Sequence, residues 1–241
     1  MSNQRQKQKP ERRKSGGSAP AVSAPSSRER AKPAPADDAS VRRKADAEAR
    51  RAAILDAALT VFADHGFEAA RLDDVAAKAG VAKGTLYLYF KDKEALFEAM
   101  VRSAVAPVMD NMGAAAAMPG LKPADFLRLF FTTFEREVLG TRRKLLLRLI
   151  MTEGPRFPRI AEFYYREVVS RGIGMMQAVA QRAVESGEFT SDAAARFPQL
   201  IVAPLMLAVI WDGLFGKMHP LDMPKLLDAH LELLSGRRTK Q

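Results

Sequence analysis

The chain has 241 residues, of which 47% are hydrophobic, so it is long enough to build one large domain or two small ones around a sizeable core. It contains no cysteine, which excludes a disulfide scaffold, a thiolate zinc site and a cysteine nucleophile. Its formal net charge of +10 favours a polyanionic partner, either nucleic acid or an anionic membrane.

Nearly all of the excess charge lies in the first 44 residues, which carry a net +8. This stretch has no Leu, Ile, Phe, Tyr or Trp, so burial cannot offset the entropy cost of ordering it. We therefore expect residues 1–43 to form a disordered basic tail, either a polyanion-binding arm or a solubilising leader. Its composition loosely resembles an organelle transit peptide, but such peptides are poor in acidic residues, and Glu11 does not fit that pattern.

The longest apolar run extends from Leu200 to Trp211 and contains Pro204. Because a membrane-spanning helix needs about 20 apolar residues, this run predicts a buried helix. We expect no membrane partner and a cytoplasmic protein.

From Ala45 onward, the apolar residues follow helical spacing almost everywhere, and no convincing alternating strand pattern appears. Asp92 is placed to cap the fourth segment, and Pro198 and Pro204 are expected to bend the eighth. The fold class predicted is all-α, with about nine helices. The segments cover, approximately, 54–65, 72–79, 82–90, 92–104, 123–139, 145–152, 158–186, 192–215 and 224–235.

Two of the short segments, joined by Ala79-Gly80-Val81, have the dimensions of a helix-turn-helix. In this motif a glycine permits the sharp turn, and the second helix presents polar and aromatic side chains to a major groove about 12 Å wide. In the second segment Leu86 and Phe90 take the inward face, four residues apart. Four residues are thereby left outward near its start: Lys83, Gly84, Thr85 and Tyr87.

A longer ordered series surrounds this motif. It reads Ile54-Leu55-Asp56-Ala57-Ala58, Phe62, Gly66-Phe67, Leu72-Asp73-Asp74-Val75-Ala76, Ala79-Gly80-Val81, Gly84-Thr85-Leu86-Tyr87 and Tyr89-Phe90-Lys91-Asp92-Lys93-Glu94-Ala95-Leu96. The series resembles the DNA-binding domain of TetR-family (TetR/AcrR) transcriptional regulators. The resemblance implies a helix-turn-helix DNA-binding domain over 44–112 and a helical effector-binding and dimerisation domain over 113–236.

The resemblance further implies a homodimer that binds a palindromic operator in double-stranded DNA, most often as a repressor. A small-molecule effector would release it from the operator. Such a protein would be cytoplasmic and associated with the nucleoid. The alternative is a sequence-independent architectural DNA-binding protein driven by the basic tail, which would show strong salt dependence and no preferred site.

Roles at the DNA follow from the resemblance residue by residue. Those expected closest to bases are Lys83, Gly84 and Tyr87, and those expected at phosphates are Thr85, Tyr89 and Lys93. Where the family commonly has Ser or Thr, this chain has Arg71 and Ala82. Arg71 is expected to replace a hydroxyl contact to phosphate with a charged one, and Ala82 forgoes a side-chain cap.

The positive charge of the predicted DNA-binding domain is confined to the surroundings of the helix-turn-helix. Residues 45–102 carry a net −2, whereas the window from Lys78 to Lys93 carries +3. Composition alone would therefore not identify the domain as DNA-binding.

The second half is expected to hold the effector and the dimer interface. The apolar density from Leu200 to Leu214 suits helices that pair across a two-fold axis. Residues expected to line an effector cavity, although core packing explains each of them as well, are Phe130, Phe134, Leu149, Tyr164, Met175, Met176 and Trp211.

The alternative function from another class of protein is that of an enzyme. The three histidines, His65, His219 and His230, are scattered, and no HExxH, GxSxG, P-loop or dinucleotide-binding glycine motif is present. We therefore expect no catalytic residue, no metal and no cofactor.

Overall fold

The structure, a computed structural model, describes residues 36–236, with side chains from Ala39 onward. All regular secondary structure in this range is helical, which confirms the all-α prediction. Contacts divide the chain after Arg42, and the packing described below belongs to the unit from Arg43 onward. The helices are α1 (Ala36–Ala69), α2 (Leu72–Lys78), α3 (Lys83–Tyr89), α4 (Lys93–Ala116), α5 (Pro123–Phe134), α6 (Arg143–Glu153), α7 (Pro158–Tyr164), α8 (Ser170–Glu185), α9 (Ala193–Arg196), α10 (Gln199–Leu214) and α11 (Met223–Ser235).

The predicted segments 158–186 and 192–215 are each divided in the structure. In the first, the π-helical Tyr165–Val169 joins α7 to α8. A second π-helical segment, Glu135–Leu139, extends α5. Between α9 and α10, Phe197 has the non-helical angles φ −129° and ψ 77°, because a residue that precedes a proline is disfavoured in the helical region. Pro204 lies inside α10 without ending it.

Helix α1 begins at Ala36, inside the range 1–43 that was predicted to be disordered. Its first turns consist mainly of Ala, Arg, Lys, Asp and Glu, and most of these residue types favour a helix even where no apolar face is buried. The remainder of the predicted tail, residues 1–35, lies outside the described residues.

The boundary predicted between the two domains, after residue 112, falls inside a helix of the structure. Helix α4 runs through residue 112 to Ala116, because Ala114, Ala115 and Ala116 extend a helix readily and Gly113 only weakens it. No helix among residues 36–236 is long and apolar enough to span a membrane.

The first hydrophobic core joins α1–α4 to α6 and α7. Phe62, Phe67 and Phe97 form its centre, with ring centroids 5.6 to 6.0 Å apart. The residues that reach this core from beyond position 112 are Leu146, Leu149, Ile160, Phe163 and Tyr164. The core of the first half is thus completed by residues of the second.

The second core packs α5 against α8–α11. Its fully buried residues include Phe126, Leu127, Met176 and Ile201. Helix α10 contributes to this core with one face only, because several large apolar side chains on its other face are exposed.

Candidate nucleic-acid interface

The turn between α2 and α3 has the geometry that the helix-turn-helix requires. Gly80 has a φ of +66°, a left-handed conformation that favours glycine. The amide of Val81 donates to the carbonyl of Ala76 at 3.0 Å, which closes the turn against the end of α2. Val75 and Ala76 are buried, so α2 is held on the first core and fixes the direction of α3.

Helix α3 has one buried and one exposed face. Leu86 is fully buried and Phe90, directly after the helix, is nearly so, as their four-residue spacing predicted. Tyr87 is 46% exposed and Leu88 is 86% exposed. The sequence pattern already indicates that Leu88 is exposed, because a position midway between two inward residues of a helix points outward. A large apolar side chain presented to solvent beside Tyr87 suits contact with a thymine methyl group.

Lys83 forms an ion pair with α2. Its Nζ lies 2.9 Å from both carboxylate oxygens of Asp73. The hydrogen bond and the negative charge of Asp73 raise the pKa of Lys83, while the positive charge of Arg71 acts weakly in the opposite direction. Arg71 and Lys83 are both exposed, and Arg71 precedes α2 in an extended conformation.

Tyr89 and Lys93 are bound within the protein. The Tyr89 hydroxyl donates to the carbonyl of Ala47 in α1 at 3.5 Å. Lys93 Nζ donates to the carbonyls of Glu68 and Ala70 at 2.7 and 3.3 Å and lies 5.0 Å from the centroid of the Phe67 ring. Both side chains remain partly exposed.

Two helix starts behave as the sequence predicted. Ala82 precedes α3 without a side-chain cap. Asp92 caps α4, because its carboxylate accepts a hydrogen bond from the amide of Ala95 at 2.7 Å. Gly84 is exposed in the first turn of α3, where a Cβ would meet no atom within 4 Å, and Thr85 is partly buried.

The four lysines of the 78–93 window therefore differ in availability. Lys83 and Lys93 have close partners in the protein, whereas Lys78 and Lys91 are exposed. Lys91 is 84% exposed, and its ammonium group lies 3.8 Å from the carboxylate of Asp92.

The residues predicted to line an effector cavity lie in different places. Leu149 and Tyr164 belong to the first core, and burial raises the pKa of Tyr164. Trp211 packs against Phe215 with centroids 5.1 Å apart. The remaining residues belong to or pack on the second core: Phe130, Phe134, Met175 and Met176.

Met175 lines a groove of about 330 Å³ between α4 and α8. Its walls include Met109, Ala116 and Val179, and Arg171 and Arg182 also line it. The groove thus combines apolar walls with two arginines, of which Arg171 is paired with Asp110 at 2.9 Å.

The region around α6 is bonded to α1. In the turn before α6, Arg142 donates to both carboxylate oxygens of Asp56 at 2.8 and 2.9 Å and to the hydroxyl of Thr60. At the other end of α6, Glu153 accepts a hydrogen bond from the amide of Phe67 at 3.3 Å. Arg148, on the same helix, contacts Asp212 of α10 at 2.8 Å. Helix α6 is therefore connected both to the DNA-binding half and to α10.

Comparison with known families identifies both halves of the chain. Residues 54–100 match the family of bacterial regulatory proteins described as the tetR family. Residues 125–223 match the C-terminal domain described as that of AefR-like transcriptional repressors.

Individual relatives agree with these matches. The repressor BepR of Brucella suis is 28% identical over 163 residues, which is 64% of this chain and 78% of that protein. The regulator UidR of Escherichia coli K12 is 27% identical over 174 residues, 69% of this chain and 83% of that protein.

The fold is shared with solved members of the family. The crystal structure of the regulator FadR from Bacillus subtilis in complex with stearoyl-CoA covers 78% of this chain and 98% of its own, with a TM-score of 0.63 and 22% identity. Proteins of this family regulate transcription and are not enzymes, which confirms the expectation for this chain. The chain belongs to the TetR family and is a DNA-binding transcriptional regulator.

Proposed function

We propose that this regulator is a repressor that binds a palindromic operator as a homodimer and leaves it when a small-molecule effector binds. The observation that carries the DNA-binding role is the two-faced α3, which buries Leu86 and presents Tyr87 and Leu88. An exposed aromatic and an exposed aliphatic side chain on a helix of this size suit the floor of a major groove. The regulator would act in the cytoplasm, at the nucleoid.

The residues proposed to contact DNA surround α3. Those proposed for bases are Lys83, Gly84 and Tyr87, and those proposed for phosphates are Arg71, Thr85, Tyr89 and Lys93. The exposure of Arg71, Lys83 and Tyr87 supports their roles. Lys93 would act from a fixed position, since the carbonyls of Glu68 and Ala70 hold its ammonium group.

The homodimer is proposed from the outer face of α10. Four large apolar side chains on this helix are 44 to 64% exposed: Leu200, Leu207, Ile210 and Leu214. Their spacing places them on one side of the helix, and a continuous apolar stripe of this kind marks an interface in a protein with a separate core. Leu233 of α11, 81% exposed, would extend it. A two-fold axis would place two copies of α3 about one turn of DNA apart.

Release by an effector is proposed from the position of α6. A ligand that moves α6 would act on α1 through Arg142 and on α10 through Arg148. The coupling free energy between the effector site and the DNA-binding site would be about 1–3 kcal/mol, as is typical of allosteric proteins. The apolar walls and Arg182 of the α4–α8 groove at Met175 suit an amphipathic molecule with an anionic group, and FadR, which shares the fold, was solved with stearoyl-CoA. The repressor activity named for BepR supports the sign of regulation.

The first test is selection of bound duplexes from a random library, followed by affinity measurements on the recovered site. The wild-type chain should enrich a palindrome. Tyr87→Ala should lower affinity for that site by about 10- to 100-fold, as loss of a base contact does. Tyr165→Ala, which removes a tyrosine that is 61% exposed at a distance from α3 in the chain, is the matched control and should bind like the wild type.

Sedimentation must show the same oligomer for the wild type and both variants. Wild-type affinity of Tyr87→Ala for the recovered site would refute the assignment of α3. Failure of the wild-type chain to enrich any sequence, with tight and salt-sensitive binding to all duplexes, would instead favour the architectural alternative.

A further inference from the structure

The upstream turns of α1 lie outside the part of the chain that matches the family. The match begins at residue 54, whereas α1 extends back to Ala36. From Arg43 to Arg50 this helix has no apolar side chain larger than alanine, and every residue except Ala47 is exposed. Packing in a core therefore does not explain this extension.

Charge is distributed unevenly around these turns. With 3.6 residues per turn, four basic residues lie within about 60° of Ala47: Arg43, Lys44, Arg50 and Arg51. The acidic residues Asp46 and Glu48 lie about 100° away on either side. The helix thus carries a basic stripe, defined by the four residues just named, with Ala47 at its centre.

The basic stripe lies beside α3. The hydroxyl of Tyr89 contacts the carbonyl of Ala47 at 3.5 Å, and the guanidinium carbon of Arg51 lies 5.8 Å from the centroid of the Phe90 ring. Tyr89 follows the exposed Leu88 in α3. The stripe therefore adjoins the end of the helix proposed to enter the groove.

We propose that the basic stripe of α1 binds phosphates of the DNA next to the major groove that α3 occupies. This inference rests on the proposed function, and it extends the interface beyond the helix-turn-helix. Arg43, Lys44 and Arg50 are exposed. Lys44 and Arg50 are the two that we assign to direct phosphate contact, and Arg51, half-buried over Phe90, would support them.

Charge complementarity is the reason to assign this partner. Residues 45–102 carry a net −2, so a DNA-binding domain of this composition needs local cations to offset repulsion by the phosphates. Phosphate contacts position a protein on the duplex without reading its sequence, and each one releases condensed counterions. The stripe should therefore add affinity and salt dependence, but no base preference.

The test compares the full-length wild type with the double variant Lys44→Gln/Arg50→Gln. Affinity is measured over a series of salt concentrations on the duplex recovered by selection and on a scrambled duplex of equal length. Each lost phosphate contact should reduce the slope of log K against log salt by about 0.9 in magnitude, hence by about 2 per protomer. The ratio of the affinity for the selected duplex to the affinity for the scrambled duplex should stay within twofold of the wild-type ratio.

The matched control is Lys122→Gln/Lys217→Gln, which removes the same charge from two exposed lysines outside α1–α4. It should leave the slope unchanged, and circular dichroism should show equal helix content in all three proteins. Equal slopes for the two double variants would overturn the inference while leaving the proposed function intact. A wild-type chain without any preferred duplex would overturn both.

Discussion

Two lysines that the sequence places near DNA have different freedom in the free protein. In the proposed complex Lys83 would exchange Asp73 for a base or phosphate, because its ammonium group is paired with Asp73 in the free protein. Lys93 has no such exchange to make, since neutral carbonyls hold it and leave its charge uncompensated. A fixed cation loses little entropy on binding, whereas an exchange of ion partners contributes more to selectivity than to affinity.

His230 is a residue whose burial makes stability depend on pH. Its Nε2 is buried and finds no hydrogen-bond partner among the described residues, and its ring lies 6.1 Å from that of Phe131. Burial lowers the pKa of His230, while the backbone of Leu200 and Ile201 acts in the opposite direction. The folded protein therefore disfavours the charged imidazole.

We expect acid to destabilise the fold through this group. Below the ordinary pKa of 6.5 the unfolded chain binds the proton more readily than the folded one, so stability falls as pH falls until the folded state also protonates. One such group changes the free energy of unfolding by at most about 1.4 kcal/mol per pH unit. Urea unfolding at pH 7.5, 6.5 and 5.5 should show a smaller acid loss for His230→Leu than for the wild type.

The exposed His65 supplies the control for this measurement. His65→Gln should lose stability with acid as the wild type does. Parallel losses in all three proteins would show that His230 is not the group responsible.

Residue roles were predictable where they depend on neighbours in the chain. Asp92 was expected to cap α4 and does so, because a cap needs only the residues that follow it. The contacts of Lys93 with Glu68 and Ala70 join residues more than 20 positions apart, so local pattern contains no sign of them. The same holds for the pair of Lys83 and Asp73, which forms only once α2 and α3 have taken their angle.

At the scale of the element, the glycines at turn and helix positions should respond oppositely to alanine. Gly66 interrupts α1 with a φ of +77°, and a Cβ there would lie 3.1 Å from Glu153 Oε1. With a ψ of 170°, Gly66 lies in a backbone region that is almost exclusive to glycine, and alanine there costs about 1–3 kcal/mol. Gly84 is helical and open, so alanine there should stabilise by up to about 1 kcal/mol.

Urea unfolding of Gly66→Ala and Gly84→Ala measures both effects. Gly84→Ala should nevertheless weaken binding to the selected duplex, because its methyl group would occupy the space proposed for a base edge. A Gly66→Ala protein as stable as the wild type would contradict the strain assigned to this turn. Full DNA affinity of Gly84→Ala would remove Gly84 from the interface.

Elements were predicted best where glycine, proline and apolar spacing agree. The glycine expected to permit the sharp turn, Gly80, has a positive φ in the structure, and so has Gly66, which directly follows the first predicted segment. The π-helical segments at 135–139 and 165–169 were not predicted, because each covers only 5 residues and is too short to show an apolar period of its own. The upstream turns of α1 were missed because they bury nothing and so show no periodic apolar pattern.

At the scale of the whole molecule, the outer face of α10 decides the proposed assembly. Each buried leucine contributes about 1.5–3 kcal/mol, and a two-fold axis counts every substitution twice. Leu207→Arg should therefore raise the dimer dissociation constant at least tenfold, measured by sedimentation equilibrium. Affinity for the palindrome should fall with it, because one protomer contacts only half of the site.

Leu129→Arg is the matched control, since Leu129 is a leucine of α5 that is 42% exposed. It should leave the dimer unchanged. A monomeric wild type, or a Leu207→Arg protein that still dimerises, would exclude α10 from the interface.

The two cores of the molecule limit how evolution or engineering can recombine it. The core that holds α3 is completed by residues from the second half of the chain: Leu146, Leu149, Ile160, Phe163 and Tyr164. The second half therefore stabilises the DNA-binding half. A hybrid regulator joined at residue 112 would separate Phe97 and Phe67 from these partners and also cut α4. A hybrid that keeps the first core intact must instead retain residues 143–164 together with the DNA-binding half. Such a hybrid requires two crossover points rather than one.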